Sequence, residues 1–76
     1  MLVVAYILLK TAIAREHEVA QEISRLKGVV EVKVVFGEYD VVVKVATRDV
    51  KELDEVVTSI RRIDGVAITS TLVTSE

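Results

Sequence analysis

The apolar residues of this chain are spaced in two ways, one typical of strands and one of amphipathic helices. Leu2–Leu9 is a continuous apolar run, which predicts a strand that is covered on both faces. Residues 14–27 follow, with apolar residues at helical spacing and charged residues around them. The spacing predicts an amphipathic helix with Gly28 at its C′ position, where left-handed backbone commonly ends a helix. The apolar positions of this helix are Val19, Ile23 and Leu26.

The segment after the first helix has the pattern of two strands joined by a turn. Val29–Phe36 alternates polar and apolar residues, and a period of two predicts a strand with one covered face. Gly37 and Glu38 supply the turn, because glycine and polar residues separate the two apolar segments. Asp40–Ala46 is predicted to be the third strand.

A second helix and a final strand complete the pattern. Asp49 stands three residues before Glu52, an Asp-type variant of the capping box that marks a helix start. The helix stops at Gly65, and Val66–Thr74 is predicted to be the last strand. The apolar stripe of the second helix is Val50, Leu53, Val56, Val57, Ile60 and Ile63.

The second half of the chain repeats the first half at an offset of 37 residues. This offset carries Gly28 onto Gly65 and Val19 onto Val56, so each half is predicted to fold as strand, helix, strand. Two such units in succession give an α+β fold with the ferredoxin-like βαββαβ topology. We expect a four-stranded antiparallel sheet with both helices on one face, because each crossover is right-handed.

One face of this sheet is then left without a cover, and we expect a dimer in which two sheets are apposed as an α/β sandwich. A contiguous exposed apolar patch usually marks an interface. The charged residues Glu31, Lys33 and Lys44 share this face by parity and are expected at its rim. The alternative is a monomer with a partly wet sheet. The apolar residues predicted on the open face are Val35, Val42 and Val73, with part of Val3, Ala5, Ile7 and Leu9.

Composition limits the class of protein further. The chain has 76 residues, enough for one domain over 1–76, and no cysteine, which excludes thiol catalysis and cysteine-based zinc sites. Its net charge of −2 argues against a domain that grips nucleic acid by itself. Leu2–Leu9 is too short to cross a bilayer and lacks signal-peptide flanks, so we expect a soluble, cytoplasmic protein. Few thermolabile residues alongside many Val, Glu, Lys and Arg fit a heat-adapted source.

The sequence offers little material for catalysis. His17 is the single histidine and lies among charged residues near the start of the first helix, where we expect a solvated surface residue. One histidine makes no metal site, and no serine stands with a base as a triad requires. The isolated glycines form no phosphate-binding loop. We therefore predict that the protein is not an enzyme and needs no cofactor or metal.

The segment 36–40 combines a flexible backbone, an aromatic ring and two carboxylates. Asp40 has the chemistry to take an ammonium group while backbone donors take a carboxylate, which would suit a zwitterion. The other interpretation is that Gly37 and Glu38 are ordinary hairpin residues and that Asp40 stabilises a turn. Thr69 and Thr71 place two hydroxyls on one face of the last strand, although threonine is a common strand residue.

These motifs, in their order and spacing, resemble the effector-binding domain of the Lrp/AsnC regulators, called RAM. The resemblance runs over essentially the whole chain, and its most specific parts are the G-x-Y-D turn and the G-V-x-x-T-x-T ending. It implies a domain that dimerises through its sheets, often assembles into octamers, and binds amino-acid effectors in clefts between dimers. The residues that it implies at the effector are Gly37, Glu38, Tyr39, Asp40, Thr69 and Thr71, with both threonines coming from a neighbouring subunit.

Full regulators of that family carry a helix-turn-helix domain before this module, whereas this sequence begins with the first strand. We therefore expect an effector-binding module without its own DNA-binding domain, which forms mixed oligomers with a full-length Lrp/AsnC regulator or simply binds the metabolite. Two other classes stay open. One is a small dimeric α+β-barrel enzyme, such as a cofactor-free monooxygenase or isomerase, and the other is a purely structural oligomerisation adaptor.

Overall fold

The computed structural model of the chain describes residues 2–75. Met1 and Glu76, the ends of the predicted 1–76 unit, lie outside the described residues. The order of elements confirms the predicted βαββαβ topology. The elements are β1 (Val3–Thr11), α1 (Glu16–Ser24), β2 (Val29–Val34), β3 (Val41–Thr47), α2 (Val50–Arg61) and β4 (Val66–Val73).

The four strands form one antiparallel sheet in the order β2-β3-β1-β4. The all-apolar β1 is therefore a central strand, as expected from its sequence. Leu9 faces Val41 on one side and Thr69 on the other. The register between β1 and β4 shifts beyond Lys10, so Val66 pairs with Thr11 and packs against the core. The irregularity places Val66 on the same face as Thr69 and Thr71, although a strict alternation along β4 would put it on the other face.

The start of α2 confirms the predicted cap. The Asp49 side chain accepts a hydrogen bond from the backbone N–H of Glu52 at 2.8 Å. The Glu52 carboxylate accepts one from the N–H of Arg48 at 3.1 Å, one residue earlier than in the usual reciprocal box. The first of these bonds satisfies a backbone donor that the first turn of a helix leaves without a partner.

Each helix ends four residues before the glycine that follows it, α1 at Ser24 and α2 at Arg61. Gly28 and Gly65 have positive φ, +93° and +102°, as predicted, but neither is at C′. Each lies in a separate turn, closed by Val29 N–H to Leu26 C=O at 3.3 Å and by Val66 N–H to Ile63 C=O at 3.2 Å. The turn after α1 explains why that helix is shorter than the predicted segment 14–27.

The core lies between the two helices and one face of the sheet. Ala5, Ile7 and Leu9 on β1 are fully buried there, together with Val19 and Ile23 on α1. Burying each large aliphatic side chain contributes about 1.5–3 kcal/mol. The prediction that Val3, Ala5, Ile7 and Leu9 contribute to the open face was therefore wrong. An unbroken apolar strand carries no alternation from which its inward face could be inferred.

The open face of the sheet carries the residues of each strand that alternate with the core-facing ones. Val42 is on this face, as predicted, whereas Val73 pairs with Ala5 and so belongs to the helix-covered side, and Val35 lies beyond the end of β2. Glu31 and Lys33 are on the edge strand β2, but Lys44 is on the central strand β3, so its predicted place at the rim was wrong. The apolar side chains of the open face are Val4, Tyr6, Leu8, Val42, Ala46, Ile68 and Leu72.

Candidate functional site

The connection between β2 and β3 is a six-residue loop that is fastened at its base. The N–H of Val35 donates to the Asp40 carbonyl at 2.9 Å, and the N–H of Asp40 donates to the Leu9 carbonyl at 2.8 Å. Gly37 has φ +147°, a conformation that side-chain-bearing residues rarely adopt. Gly37 and Glu38 are exposed at the tip, while Tyr39 is half-buried. A rigid base thus holds an exposed tip.

Asp40 links this loop to the end of β1. Its Oδ2 accepts a hydrogen bond from the backbone N–H of Thr11 at 2.9 Å and lies 3.5 Å from the Thr11 hydroxyl, which also donates to it. The carboxylate takes the place of a backbone acceptor and extends the pairing of β1 with β3. Asp40 Oδ1 has no hydrogen bond to the part of the chain that the structure describes. One oxygen is structural, and the other keeps its capacity to accept.

The loop between β1 and α1 forms the second wall of the same region. The N–H of Arg15 donates to the Ala12 carbonyl at 3.0 Å, and Ala14 within this turn has φ +66°. Alanine pays a steric penalty in that conformation, and such strain occurs preferentially at functional sites. Ile13 at the tip of the turn is 97% exposed. The turn therefore presents a large apolar side chain to solvent.

Arg15 fastens the far side of this loop. Its guanidinium donates to the Asp64 carboxylate at 3.0 Å and to Glu18 at 2.6 Å. The hydrogen bond to Asp64, followed by that to Glu18, raises the pKa of Arg15 above its ordinary value. The ion pair between Arg15 and Asp64 joins the start of α1 to the turn before β4.

The two loops and the start of α1 enclose a cleft of about 300 Å³. Its lining combines apolar side chains with carboxylates, as in many small-molecule sites. Gly37, Glu38 and Tyr39 do not line it, although sequence reasoning had placed them at the ligand. The β1–α1 loop was missed, because its residues carry no motif. The larger and the ionisable side chains that line this cleft are Ile13, Glu16, His17, Val35, Phe36 and Asp40.

The two predicted threonines lie on the other side of β1. Thr69 and Thr71 pair with Leu9 and Ile7 and face the helix-covered side. Thr69 Oγ1 accepts a hydrogen bond from Nε of Arg61 at 3.1 Å. Arg61 and the segment 66–69 line a second cleft of about 390 Å³. Sequence reasoning did not single out Arg61, because it is one of two adjacent arginines at the end of an amphipathic helix.

The six predicted site residues are therefore not brought together within one copy of the chain. Val41 and Thr69 flank Leu9 on opposite sides, and two strand spacings put them roughly 10 Å apart. Asp40 lines the first cleft and Thr69 the second, whereas Gly37, Glu38, Tyr39 and Thr71 line neither of the two.

The described residues add two further observations. Within residues 2–75 there is no group of three or more His, Cys, Asp or Glu side chains placed to hold a metal ion. No helix in that range is long and apolar enough to cross a membrane. His17 is exposed, as predicted.

Comparison with known proteins agrees with this architecture. The family model described as "Lrp/AsnC ligand binding domain" matches residues 4–76. The chain belongs to this family. As an Lrp/AsnC ligand-binding domain, it is similar to the HTH-type transcriptional regulator FL11 of Pyrococcus furiosus, at 34% identity over 71 residues. That match covers 93% of this chain and 47% of the regulator, so the chain spans about half the length of this curated relative.

Two more proteins define the range of the resemblance. The crystal structure of FFRP-DM1 is 41% identical and has a TM-score of 0.89, over 95% of this Lrp/AsnC domain and 97% of that chain. The homocitrate synthase of Sulfurisphaera tokodaii is 40% identical over 53 residues. This match covers 70% of our chain but only 12% of that protein, so it concerns a small part of the enzyme. The family assignment supports a regulatory, effector-binding role.

Proposed function

We propose that the chain acts as one ligand-binding and oligomerisation domain that binds a free amino acid between copies of itself in the cytoplasm. The observation that carries this proposal is the Asp40 carboxylate in the cleft next to the β2–β3 loop. Thr11 fixes one of its oxygens at 2.9 Å, which holds the group in place before any ligand arrives. A preorganised carboxylate suits the ammonium group of an amino acid, since charge-assisted hydrogen bonds are the stronger ones.

The apolar lining of this cleft favours an effector with an apolar side chain. Ile13 and Phe36 are exposed on the two loops, and Val35, which precedes Phe36 in the sequence, lines the same cleft. A ligand side chain that covered these groups would remove their apolar surface from water, at about 25 cal/mol for each Å². Leucine, isoleucine, methionine and phenylalanine are therefore the first effectors to test.

The proposed dimer uses the open face of the sheet. Tyr6, Ile68 and Leu72 are each more than one-third exposed there, on a face that neither helix covers. Apposing two such faces would bury a contiguous apolar surface, as obligate dimers do. Dimers would then associate further, up to an octamer, by contacts that include the two clefts.

We propose that this assembly modulates Lrp/AsnC-type transcription regulators by ligand-dependent oligomerisation. The relative FL11 is named a transcriptional regulator and is about twice as long as the match, so mixed assembly with a full-length regulator is the proposed route. The same relationship favours a regulatory module over a barrel enzyme. The homocitrate synthase match does not reverse this, because it covers so little of the enzyme.

The test is native mass spectrometry of the purified protein with and without the twenty common amino acids. We expect an even-numbered assembly that gains the mass of an apolar amino acid. An assembly without any adduct at millimolar ligand would contradict the proposal and favour the adaptor hypothesis.

Asp40→Asn sharpens this test. The amide oxygen can still accept from the Thr11 N–H, but the negative charge is lost, so we expect affinity to fall about 10- to 100-fold with little loss of stability. Asp54→Asn is the matched control, since Asp54 is exposed on α2 and the charge change is the same. Equal affinities of the two variants, measured by isothermal titration calorimetry, would remove Asp40 from the site.

A further inference from the structure

A site for a free amino acid has to offer a negative group to the ammonium and a positive group to the carboxylate, and these two ligand groups lie close together. Its ammonium nitrogen and carboxylate carbon are separated by about 2.5 Å, two bonds through the α-carbon. Within one copy, the strands place Thr69 roughly 10 Å from Val41, the residue next to Asp40. Asp40 and Thr69 thus line different clefts of one copy. In the assembly proposed above, the Arg61 cleft of one copy can face the Asp40 cleft of the next.

Arg61 differs from Arg15 and Arg48 because its side chain donates a hydrogen bond to an uncharged group. Arg15 donates to Asp64 and Glu18, and Arg48 donates to Glu52 at 3.2 Å. Arg61 instead donates through Nε to the hydroxyl of Thr69 at 3.1 Å. No carboxylate on its own chain offsets its charge within residues 2–75.

The bond to Thr69 also fixes the direction of the guanidinium. Nε is occupied, while Nη1 and Nη2 make no hydrogen bond to residues 2–75. Thr69 Oγ1 accepts from Arg61 through a lone pair, so its own O–H hydrogen remains free to donate. The two NH2 groups of Arg61, with four N–H bonds, and the O–H group of Thr69 are thus available on neighbouring side chains. A carboxylate with two oxygens matches this set of donors.

The surroundings of Arg61 leave room for a small ligand. Arg61 is exposed, and with the segment 66–69 it lines the cleft of about 390 Å³. β4 is an edge strand, so alternate backbone N–H and C=O groups of this segment point away from β1. Ile68 beside it is 56% exposed, which gives the cleft an apolar rim that a second copy can cover.

We infer that Arg61, positioned by Thr69, binds the carboxylate of the amino-acid effector whose ammonium group is held by Asp40 of the partner subunit. The inference rests on the proposed function and adds a residue to it. Each interface between copies then contains one complete site, built from the Asp40 cleft of one copy and the Arg61 cleft of the next. A ligand bound in this way links two copies through opposite charges.

The experiment measures the affinity of Arg61→Gln and Arg62→Gln for L-leucine and L-leucinamide, and for L-methionine and L-methioninamide, by isothermal titration calorimetry. The amides lack the carboxylate charge but keep the ammonium group. Arg62→Gln is the matched control, because Arg62 is the adjacent exposed arginine and both variants lose one charge near the end of α2. If neither amino acid binds wild type, the other common amino acids and their amides replace these probes.

We expect Arg61→Gln to weaken binding of the free amino acid about 10- to 100-fold and to abolish the preference for it over its amide. Arg62→Gln should retain both the affinity and the preference. Thr69→Val should reduce the preference, and Thr69→Ser should restore it, because serine keeps the hydroxyl. Equal melting temperatures for the two arginine variants will separate binding from helix stability.

The outcomes separate the two proposals. If wild type binds none of the common amino acids, the proposed function fails and this inference fails with it. If wild type binds an amino acid and Arg61→Gln keeps the wild-type affinity and amide discrimination, the inference alone is overturned. Loss of discrimination in both arginine variants would also overturn it, because that result would reflect the net charge of the surface.

Discussion

The two halves of this chain fold alike but connect their first strand and helix differently. The feature they share is a glycine turn after each helix, and each of these turns lies close to the helix of the other half. A Cβ on Gly28 would lie 3.3 Å from Val56 of α2, and one on Gly65 would lie 3.2 Å from Val19 of α1. Val19 and Val56 are themselves equivalent by the 37-residue offset. Each half thus places its turn against the helix of the other half.

The connections into the helices show the difference. In the second half, only Arg48 and Asp49 separate β3 from α2, and Asp49 caps the helix. In the first half, four residues separate β1 from α1, Ala14 has positive φ, and Arg15 at the N-cap provides no side-chain cap. The shorter connection is built for stability, whereas the longer one lines the Asp40 cleft.

This contrast shows how a repeated fold acquires a site. The parts that bury apolar surface are kept in both halves, because the core depends on them equally. The strained, exposed loop occurs once, where a ligand is proposed to bind. Natural proteins depart from local structural preferences mainly at such positions.

The prediction with the largest expected effect concerns the glycine turns that both halves share. Gly28→Ala and Gly65→Ala should each destabilise the protein by about 1–3 kcal/mol, since both positions have positive φ and little room for a Cβ. Urea unfolding at a fixed protomer concentration measures this. Losses that differ several-fold between the two variants would contradict the equivalence of the two turns.

A smaller effect tests the cap that occurs in one half. Asp49→Ala should cost about 0.5–2 kcal/mol, because the N–H of Glu52 loses its acceptor. Asp49→Asn is the control, since asparagine caps helices about as well as aspartate. Arg15→Ala at the start of α1 should cost less, because it removes exposed ion pairs and no cap. Thermal unfolding of the three variants orders them, and a larger loss for Arg15→Ala would contradict the comparison.

The smallest effect tests the strained loop. Ala14→Gly should leave stability unchanged or raise it by up to about 1 kcal/mol, because glycine adopts positive φ without steric cost. Ala20→Gly within α1 is the control and should lose about 0.5–1 kcal/mol. Urea titration of both variants makes the comparison. Equal losses would show that the backbone at Ala14 is not strained.

Much of this fold could be predicted because its signals are local. The period of the apolar residues located both helices and all four strands, and the spacing of Asp49 and Glu52 identified the cap. The end of α1 could not be placed in this way, since Leu26 continues the apolar pattern beyond the last helical residue. A separate turn follows the helix, closed by Val29 N–H to Leu26 C=O, and a Cβ on its Gly28 would lie 3.3 Å from Val56 of α2.

The site was predictable only in part, because its contacts join residues that are distant in sequence. The turn residues and the threonines were identified by motif. The bond from Thr11 to Asp40 spans 29 positions, and no local pattern could have predicted it. The bond from Arg61 to Thr69 joins α2 to β4, and it is the contact from which we infer a role for Arg61.

The sequence by itself determined the βαββαβ order, the apolar stripes of the helices and the family, because each depends on residue spacing along the chain. The tertiary structure decided which face of β1 is buried. Leu2–Leu9 is apolar at every position, and only packing against α1 and α2 selects Ala5, Ile7 and Leu9 for the core. It also separated Asp40 from Thr69 by placing β1 between their strands. Sheet order is a property of long-range pairing, which residue spacing does not encode.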